Sequence, residues 1–236
     1  MVRFGFVTLF PELIAPYFEA SILHRALQQG LIGTEYYNPR EFTENKHLKV
    51  DRAQAGGGAG QVMFAQPLDT LLREIKTQDP DAHLIFALPA AKPFRQADAK
   101  RLAEKKHIVF VSGRYEGIDE RVIEMHADEV FSIGDYVLTG GELPSLVMCD
   151  AISRNIPGVL GNEDSLSEES FEEALLEAPA FTKPENFKGS FIIKEYLKGN
   201  HGKIHALKRK LALKKTQYFR PDLYAKANIK VSEEKR

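Results

Sequence analysis

Two glycine-rich stretches are where residue type and spacing in this chain could do chemistry. Gly113-Arg114-Tyr115-Glu116-Gly117 follows directly on the apolar run His107 to Ser112. A glycine-bounded turn at the carboxyl end of a sheet strand is where open α/β folds bind ligands. The longer stretch, Ser132-Ile133-Gly134-Asp135-Tyr136-Val137-Leu138-Thr139-Gly140-Gly141-Glu142-Leu143-Pro144, also follows a short apolar run and leads into a helical pattern. Either loop alone reads equally well as an ordinary strand–helix connection. As a pair after neighbouring strands they point to one crevice, offering amides, carbonyls and aromatic faces to a small molecule. A third cluster, Gly56-Gly57-Gly58-Ala59-Gly60, has neither dinucleotide-binding spacing nor the pattern of a phosphate-cradling loop. It suits a close backbone approach to a ligand or a mobile loop.

Arg154 sits late in the helical pattern before Pro157. It reads either as a cation favoured by the helix dipole or as a guanidinium that fixes a carboxylate or nucleobase by paired hydrogen bonds. Among the seven histidines only His201 and His205 are spaced four apart. In so basic a segment they suit phosphate contact or solvent exposure better than metal ligation. Cys149 lies in an apolar helical stretch and reads as a buried structural thiol rather than a nucleophile.

The elements that must position these groups are strands and helices in alternation. Phe4 to Phe10, His83 to Leu88, His107 to Ser112 and Glu129 to Ile133 are short apolar runs, β-branched or aromatic and bounded by breakers, as buried strands are. Pro67 suits a first helical position ahead of Leu68, Leu71, Leu72 and Ile75. Further helices are predicted over Gln96 to Lys105, after Ile118 with Val122, Ile123 and His126, and from Pro144 through Leu146, Val147, Asp150 and Ile152. Alternation of this kind implies an α/β fold with a mainly parallel sheet covered on both faces.

The chain has 236 residues and a formal net charge of −1. Apolar content of 43% and charged content of 28% are globular values, which excludes a disordered chain. A single cysteine excludes an internal disulfide. No apolar run reaches the ~18 residues of a membrane helix, and the N-terminus lacks the features of a signal peptide, so no membrane partner and a reducing cytoplasm are expected. The near-zero charge is a sum of opposites. Residues 181–236 hold 15 Lys+Arg and 5 Asp+Glu, a balance of +10, which leaves 17 and 28, or −11, for residues 1–180. An acidic core joined to a basic module suggests a polyanionic partner; pairing of the basic helix with the protein's own acidic core is the other account. Within the basic region, His201 to Gln217 puts Ile204, Leu207 and Leu211 on one helical face, with Lys203, Lys208, Arg209, Lys210, Lys214 and Lys215 around the rest. Gly161 to Glu173 is polar and acidic, with the texture of a solvated linker.

The segment Gly113 to Val122, the Ser132 to Pro144 stretch and Ser153-Arg154-Asn155-Ile156-Pro157-Gly158-Val159-Leu160-Gly161 resemble signatures of the bacterial tRNA (guanine-N1)-methyltransferases, the TrmD family. Leu9-Phe10-Pro11-Glu12, Asn38-Pro39-Arg40-Glu41-Phe42-Thr43, Thr182-Lys183-Pro184-Glu185 and Gly199-Asn200-His201 look like further landmarks in family order, so the resemblance spans nearly the whole chain. It implies a SPOUT fold with a trefoil knot, here over residues 1–160, an interdomain linker at 161–173 and a smaller basic helical tRNA-binding domain at 174–236. It implies a homodimer with active sites shared between subunits, and methylation by S-adenosylmethionine of N1 of the guanine immediately 3′ of the tRNA anticodon.

By the same resemblance, cofactor contacts fall on Pro89, Gly113, Tyr115, Glu116, Ser132, Ile133, Gly134, Asp135, Tyr136, Val137, Leu138, Gly140, Gly141 and Pro144. RNA contacts fall on Lys208, Arg209, Lys214 and Lys215. Methylating N1 requires loss of its proton to a base. The family's base is an aspartate in a Glu-Asp-Ser-Phe context; the matching stretch here is Glu168-Glu169-Ser170-Phe171, which puts Glu169 in that role. Arg154 is implied to bind and polarise the guanine or orient the base. Two stretches depart from the family pattern: Phe86-Ala87-Leu88-Pro89-Ala90-Ala91 replaces Tyr-Leu-Ser-Pro-Gln-Gly, and Asp51-Arg52-Ala53-Gln54-Ala55 replaces Asp-Asp-Arg-Pro-Tyr. The first loses polar groups on the adenine side, where backbone contacts would survive. Family members also call for Mg²⁺, for which no local pattern supplies ligands. The competing readings are a catalytically silent RNA-binding relative and a methyltransferase with another RNA target.

Overall fold

In the computed structural model the described residues are 1–161, 169–171 and 174–233. They fall in two compact units, Met1–Gly161 and Asn162–Arg236. Most of the predicted linker, Glu168 included, lies outside the described residues.

The first unit is built on five parallel strands: β1 (Val2–Val7), β2 (Ile32–Tyr37), β5 (His83–Ala87), β6 (His107–Ser112) and β7 (Glu129–Phe131), in the order β2-β1-β6-β5-β7. The α/β expectation with a mainly parallel sheet is met. Successive side chains of a strand point to opposite faces, so each apolar run divides between two cores. Phe4, Phe6, Ile85, Ile108, Phe110 and Phe131 pack on one side with α1 (Ser21–Gln28), α3 (Gln96–Leu102) and α5 (Glu142–Ser153). Val7, Leu84, Phe86, Val109 and Val111 pack on the other with α2 (Ala65–Gln78) and α4 (Glu120–His126). Burial on both faces explains why these strands read as continuous apolar runs.

Three differences from the predicted elements have physical reasons. β2 pairs only with β1 at the sheet edge, and most of it is half-buried. Its Gly33, Thr34 and Glu35 interrupt the apolar run that marks a buried strand. Helix α2 starts at Ala65, with Phe64 as its N-cap, so Pro67 is its third residue rather than its first. A first-turn amide has no intrahelical partner, and proline costs nothing there. Finally, β3 (Asp51–Ala53) and β4 (Gln61–Met63) form an antiparallel hairpin whose tip is the Gly56–Gly60 cluster.

The second unit carries a short hairpin, β8 (Asn186–Phe187) with β9 (Ser190–Phe191), and two helices, α6 (His201–Phe219) and α7 (Pro221–Glu233). Asn200 caps α6 by accepting from the Lys203 amide at 3.1 Å. Ala212 and Thr216 form the buried side of α6. Among the described residues no helix is long and apolar enough to cross a membrane.

Candidate active site

The strands that lead into the two glycine loops, β6 and β7, are not the neighbours expected, because β5 lies between them. β6, β5 and β7 end at Ser112, Ala87 and Phe131, and the loops that leave all three enclose one cleft. It is an open cleft with about 750 Å³ of space counted out into the solvent at its mouth. The β5 end contributes Ala87, Leu88 and Pro89; the turn after β6 contributes Gly113 through Gly117. The segment after β7 contributes Phe131 to Gly134, Tyr136, Val137, Leu138, Gly140 and Gly141, and Pro144 follows from α5.

Backbone hydrogen bonds hold this wall in place. The Leu88 amide donates to Phe131 O at 2.9 Å, Ser132 N to Lys92 O at 2.9 Å, Phe94 N to Ser132 O at 2.8 Å, and Gly141 N to Gly113 O at 2.8 Å. Gly141 is obligatory for this approach, because a Cβ there would stand 2.7 Å from Ser112 Cα and 2.8 Å from Gly113 N. Tyr115 adopts φ +59°, a left-handed conformation that a non-glycine side chain holds at a cost, of the kind stored at ligand sites.

The Gly56–Gly60 cluster finds its place here. The second strand of its hairpin docks on the 115–118 turn: Glu116 N donates to Gln61 O at 2.9 Å, Met63 N to Gly117 O at 2.9 Å and Asp119 N to Met63 O at 2.9 Å. A Cβ on Gly60 would strike the Glu116 side chain at 2.4 Å. The hairpin buttresses one wall of the cleft.

Every residue expected around the cofactor lines the cleft except Asp135, which is exposed beside it. Four lining residues besides those expected are apolar or glycine: Ala87, Leu88, Gly117 and Phe131. Arg114 also lines it; its position inside the Gly113–Gly117 motif was the available signal. Arg114 Nε donates to Glu142 Oε1 at 3.0 Å, and its guanidinium lies 4.6 Å from the Phe10 ring centre.

Arg154 is the half-buried C-cap of α5 and outside the cleft wall. Glu169 is half-buried in the second unit. On α6, Arg209 and Lys214 are exposed while Lys208 and Lys215 are half-buried. The open face also carries Lys203 and Lys210, which stand on the same side as Lys214 by helical spacing. Tyr218, one turn beyond Lys214, is 81% exposed. His201 and His205 are both exposed. Burial pushes the Cys149 thiol far up, against the weaker opposing hydrogen bond from Ser153, so it stays protonated and inert. Among the described residues no three His, Cys, Asp or Glu side chains stand together as a metal site.

A family model described as tRNA (Guanine-1)-methyltransferase TrmD matches residues 2–226. A tRNA (guanine-N(1)-)-methyltransferase of Sulfurovum sp. (strain NBC37-1) is 61% identical over 225 residues, 95% of this chain and 99% of that protein. Proteins of the same description from Campylobacter curvus and Sulfurimonas denitrificans are 58% and 61% identical, covering 98% and 94% of this chain and 98% and 96% of their own lengths. The motifs that converge on the cleft lie within the matched residues 2–226, and the chain belongs to the tRNA (guanine-N1)-methyltransferase family.

Proposed function

We propose that this protein methylates N1 of the guanine immediately 3′ of a tRNA anticodon, with S-adenosylmethionine as donor. The observation that carries the reading is the convergence of both glycine motifs on one cleft at the carboxyl ends of β5, β6 and β7. Its chemistry suits the donor. Leu88, Phe131, Ile133 and Leu138 offer an apolar slot for adenine, exposed main chain offers amides and carbonyls for its ring edge, and Glu116 is an acidic group for a cationic part of the ligand. Residues 86–91 put Ala87, Leu88 and Pro89 on the wall, so polar contacts there fall to the main chain.

S-adenosylmethionine supplies an activated methyl group on a sulfonium. The chain's own residues hold the donor, hold the guanine and remove the N1 proton. Glu169 is assigned as the general base: its carboxylate is one methylene longer than the family aspartate but has the same proton-accepting chemistry. Arg154 is assigned to the guanine or to orienting the base. Mg²⁺ enters only by the resemblance; among the described residues no three His, Cys, Asp or Glu side chains stand together to hold it.

We further propose, on the family resemblance, a trefoil knot in residues 1–160, a linker at 161–173, a tRNA-binding domain at 174–236, a homodimer and a cytoplasmic location. For the knot, the supporting feature is that residues 132–141 are hydrogen-bonded to the 88–94 segment and to Gly113. For the dimer, α5 exposes Leu143 (56%) and Val147 (44%) in line with Asp150 and Arg154, an apolar stripe that a second copy would cover beside an active-site residue. For tRNA, the support is the exposed basic face of α6.

The test is incorporation of labelled methyl groups into unmodified tRNA transcripts. Label is expected in a transcript with guanine 3′ of the anticodon and absent when that guanine is adenine. No incorporation into any transcript would support a silent binder, and label elsewhere a different target; either overturns the proposal.

A further inference from the structure

We infer that Glu142 is a positioning residue for the cofactor cleft, setting the separation of its two principal loops through a buried ion pair with Arg114. The inference rests on reading the cleft as the S-adenosylmethionine site. Glu142 is the first residue of α5 and only 3% exposed. Arg114, on the turn after β6, brings Nε to 3.0 Å from Oε1 and 2.9 Å from Oε2, and its Nη1 donates to Thr139 O at 3.3 Å. Thr8, fully buried just beyond β1, donates its hydroxyl to Glu142 Oε1 at 2.8 Å. Thr8 is itself oriented, since its Oγ1 accepts from Phe10 N at 3.0 Å. The carboxylate thus ties together the end of β1, the 113–117 turn and the 139–142 segment.

Favourable interaction with a helix N-terminus does not account for the arrangement, since an exposed carboxylate serves that purpose without desolvation. Among the described residues Oε2 is buried with no hydrogen-bond partner, and the cation that faces it is Arg114. The pair also lies against the cleft wall. A Cβ on Gly140 would meet Arg114 Nε at 2.5 Å and Glu142 Oε2 at 2.6 Å. Gly140 and Arg114 both line the cleft, so any movement of the pair moves the part of the wall where the two loops meet.

Glu142→Gln leaves the guanidinium without its counter-charge, and Thr8→Val removes one hydrogen bond at nearly constant volume. Calorimetric binding of S-adenosylmethionine to the full-length protein reads the effect without tRNA. The dissociation constant is expected to rise about tenfold in Glu142→Gln and about threefold in Thr8→Val, matching the loss of a charged and a single hydrogen bond. The cofactor KM should rise in parallel, while the single-turnover rate at saturating cofactor stays within about threefold of wild type. Unchanged affinity in the two folded variants, or a rate defect with unchanged affinity, would overturn the inference. If Glu142→Gln does not fold, Thr8→Val decides by the same criterion. A wild-type protein that fails to bind S-adenosylmethionine would instead sink the reading of the cleft, and the inference with it.

Discussion

On the proposed function, Arg154 and Glu169 are the residues whose chemistry would distinguish a methyltransferase from an S-adenosylmethionine-binding shell. Removing the base leaves N1 protonated, so Glu169→Gln is expected to lower the single-turnover methyl-transfer rate by about 10²–10⁴-fold, with cofactor affinity largely intact. Retained wild-type turnover would show that the proton goes elsewhere. Arg154→Ala should cost about 10²–10³-fold if the guanidinium stabilises charge developing on the base, and single-turnover kinetics at saturating tRNA checks it. Gly141 works by absence rather than by chemistry. Gly141→Ala places a methyl group against the Ser112 and Gly113 main chain, which cannot yield as a side chain tip can. About 1–3 kcal/mol of destabilisation is expected, measured by denaturant unfolding, together with weaker cofactor binding.

The strand β7 is short and lies at the sheet edge, yet it delivers Phe131 and Ser132 to the cleft. Side chains reinforce what few main-chain bonds can hold. Glu129 accepts from Arg101 Nη1 and Nη2 at 2.9 and 2.7 Å, from His83 Nε2 at 2.8 Å and from Lys92 Nζ at 3.3 Å. Burial by itself raises the carboxyl pKa, but the hydrogen bonds from Arg101, His83 and Lys92 outweigh it and bring the group down to about 2. A depressed folded-state pKa stabilises the fold above the unfolded carboxyl value, and that stability is lost as pH falls through the folded one. Glu129→Gln should therefore be less stable than wild type near neutrality, by about 1 kcal/mol for a partly solvated network. The difference should shrink as pH falls below 4.5 toward 2, a trend that thermal melts across that range would read. A difference independent of pH would show that packing, not charge, holds the strand.

Across the molecule, charge is segregated: −11 over residues 1–180 and +10 over residues 181–236. Lys203, Arg209, Lys210 and Lys214 are exposed on α6, and this part of the basic excess is the one proposed to meet tRNA phosphates. Lys210→Gln with Lys214→Gln should weaken tRNA binding and flatten the plot of log K against log salt by about 1.4–1.8, two phosphate contacts at ~0.7–0.9 each. Filter binding across a salt series checks it, with cofactor affinity expected to stay at the wild-type value. An unchanged slope would mean that the basic face is turned to protein rather than RNA.

The amino-acid pattern alone determined the strands and helices that are buried on a consistent face. His107 to Ser112 is buried along its whole length, and a continuous apolar run is its local signature. It also marked Gly113 to Gly117 and Ser132 to Pro144 as site loops, because glycines after a strand are a short-range signal. The edge strand β2, helix α1 and the β3–β4 hairpin escaped such reading, being short or interrupted by polar residues that the edge position tolerates. Strand order was decided only by the tertiary structure. It places β5 between β6 and β7, and so brings the loops after those two strands onto one cleft. The Arg114–Glu142–Thr8 contact belongs to the same class: its partners are 28 and 134 residues apart in the chain. No local period encodes such separations. They are set when the apolar faces of strands and helices find the one arrangement that buries them all, and the buried carboxylate must then find its cation there.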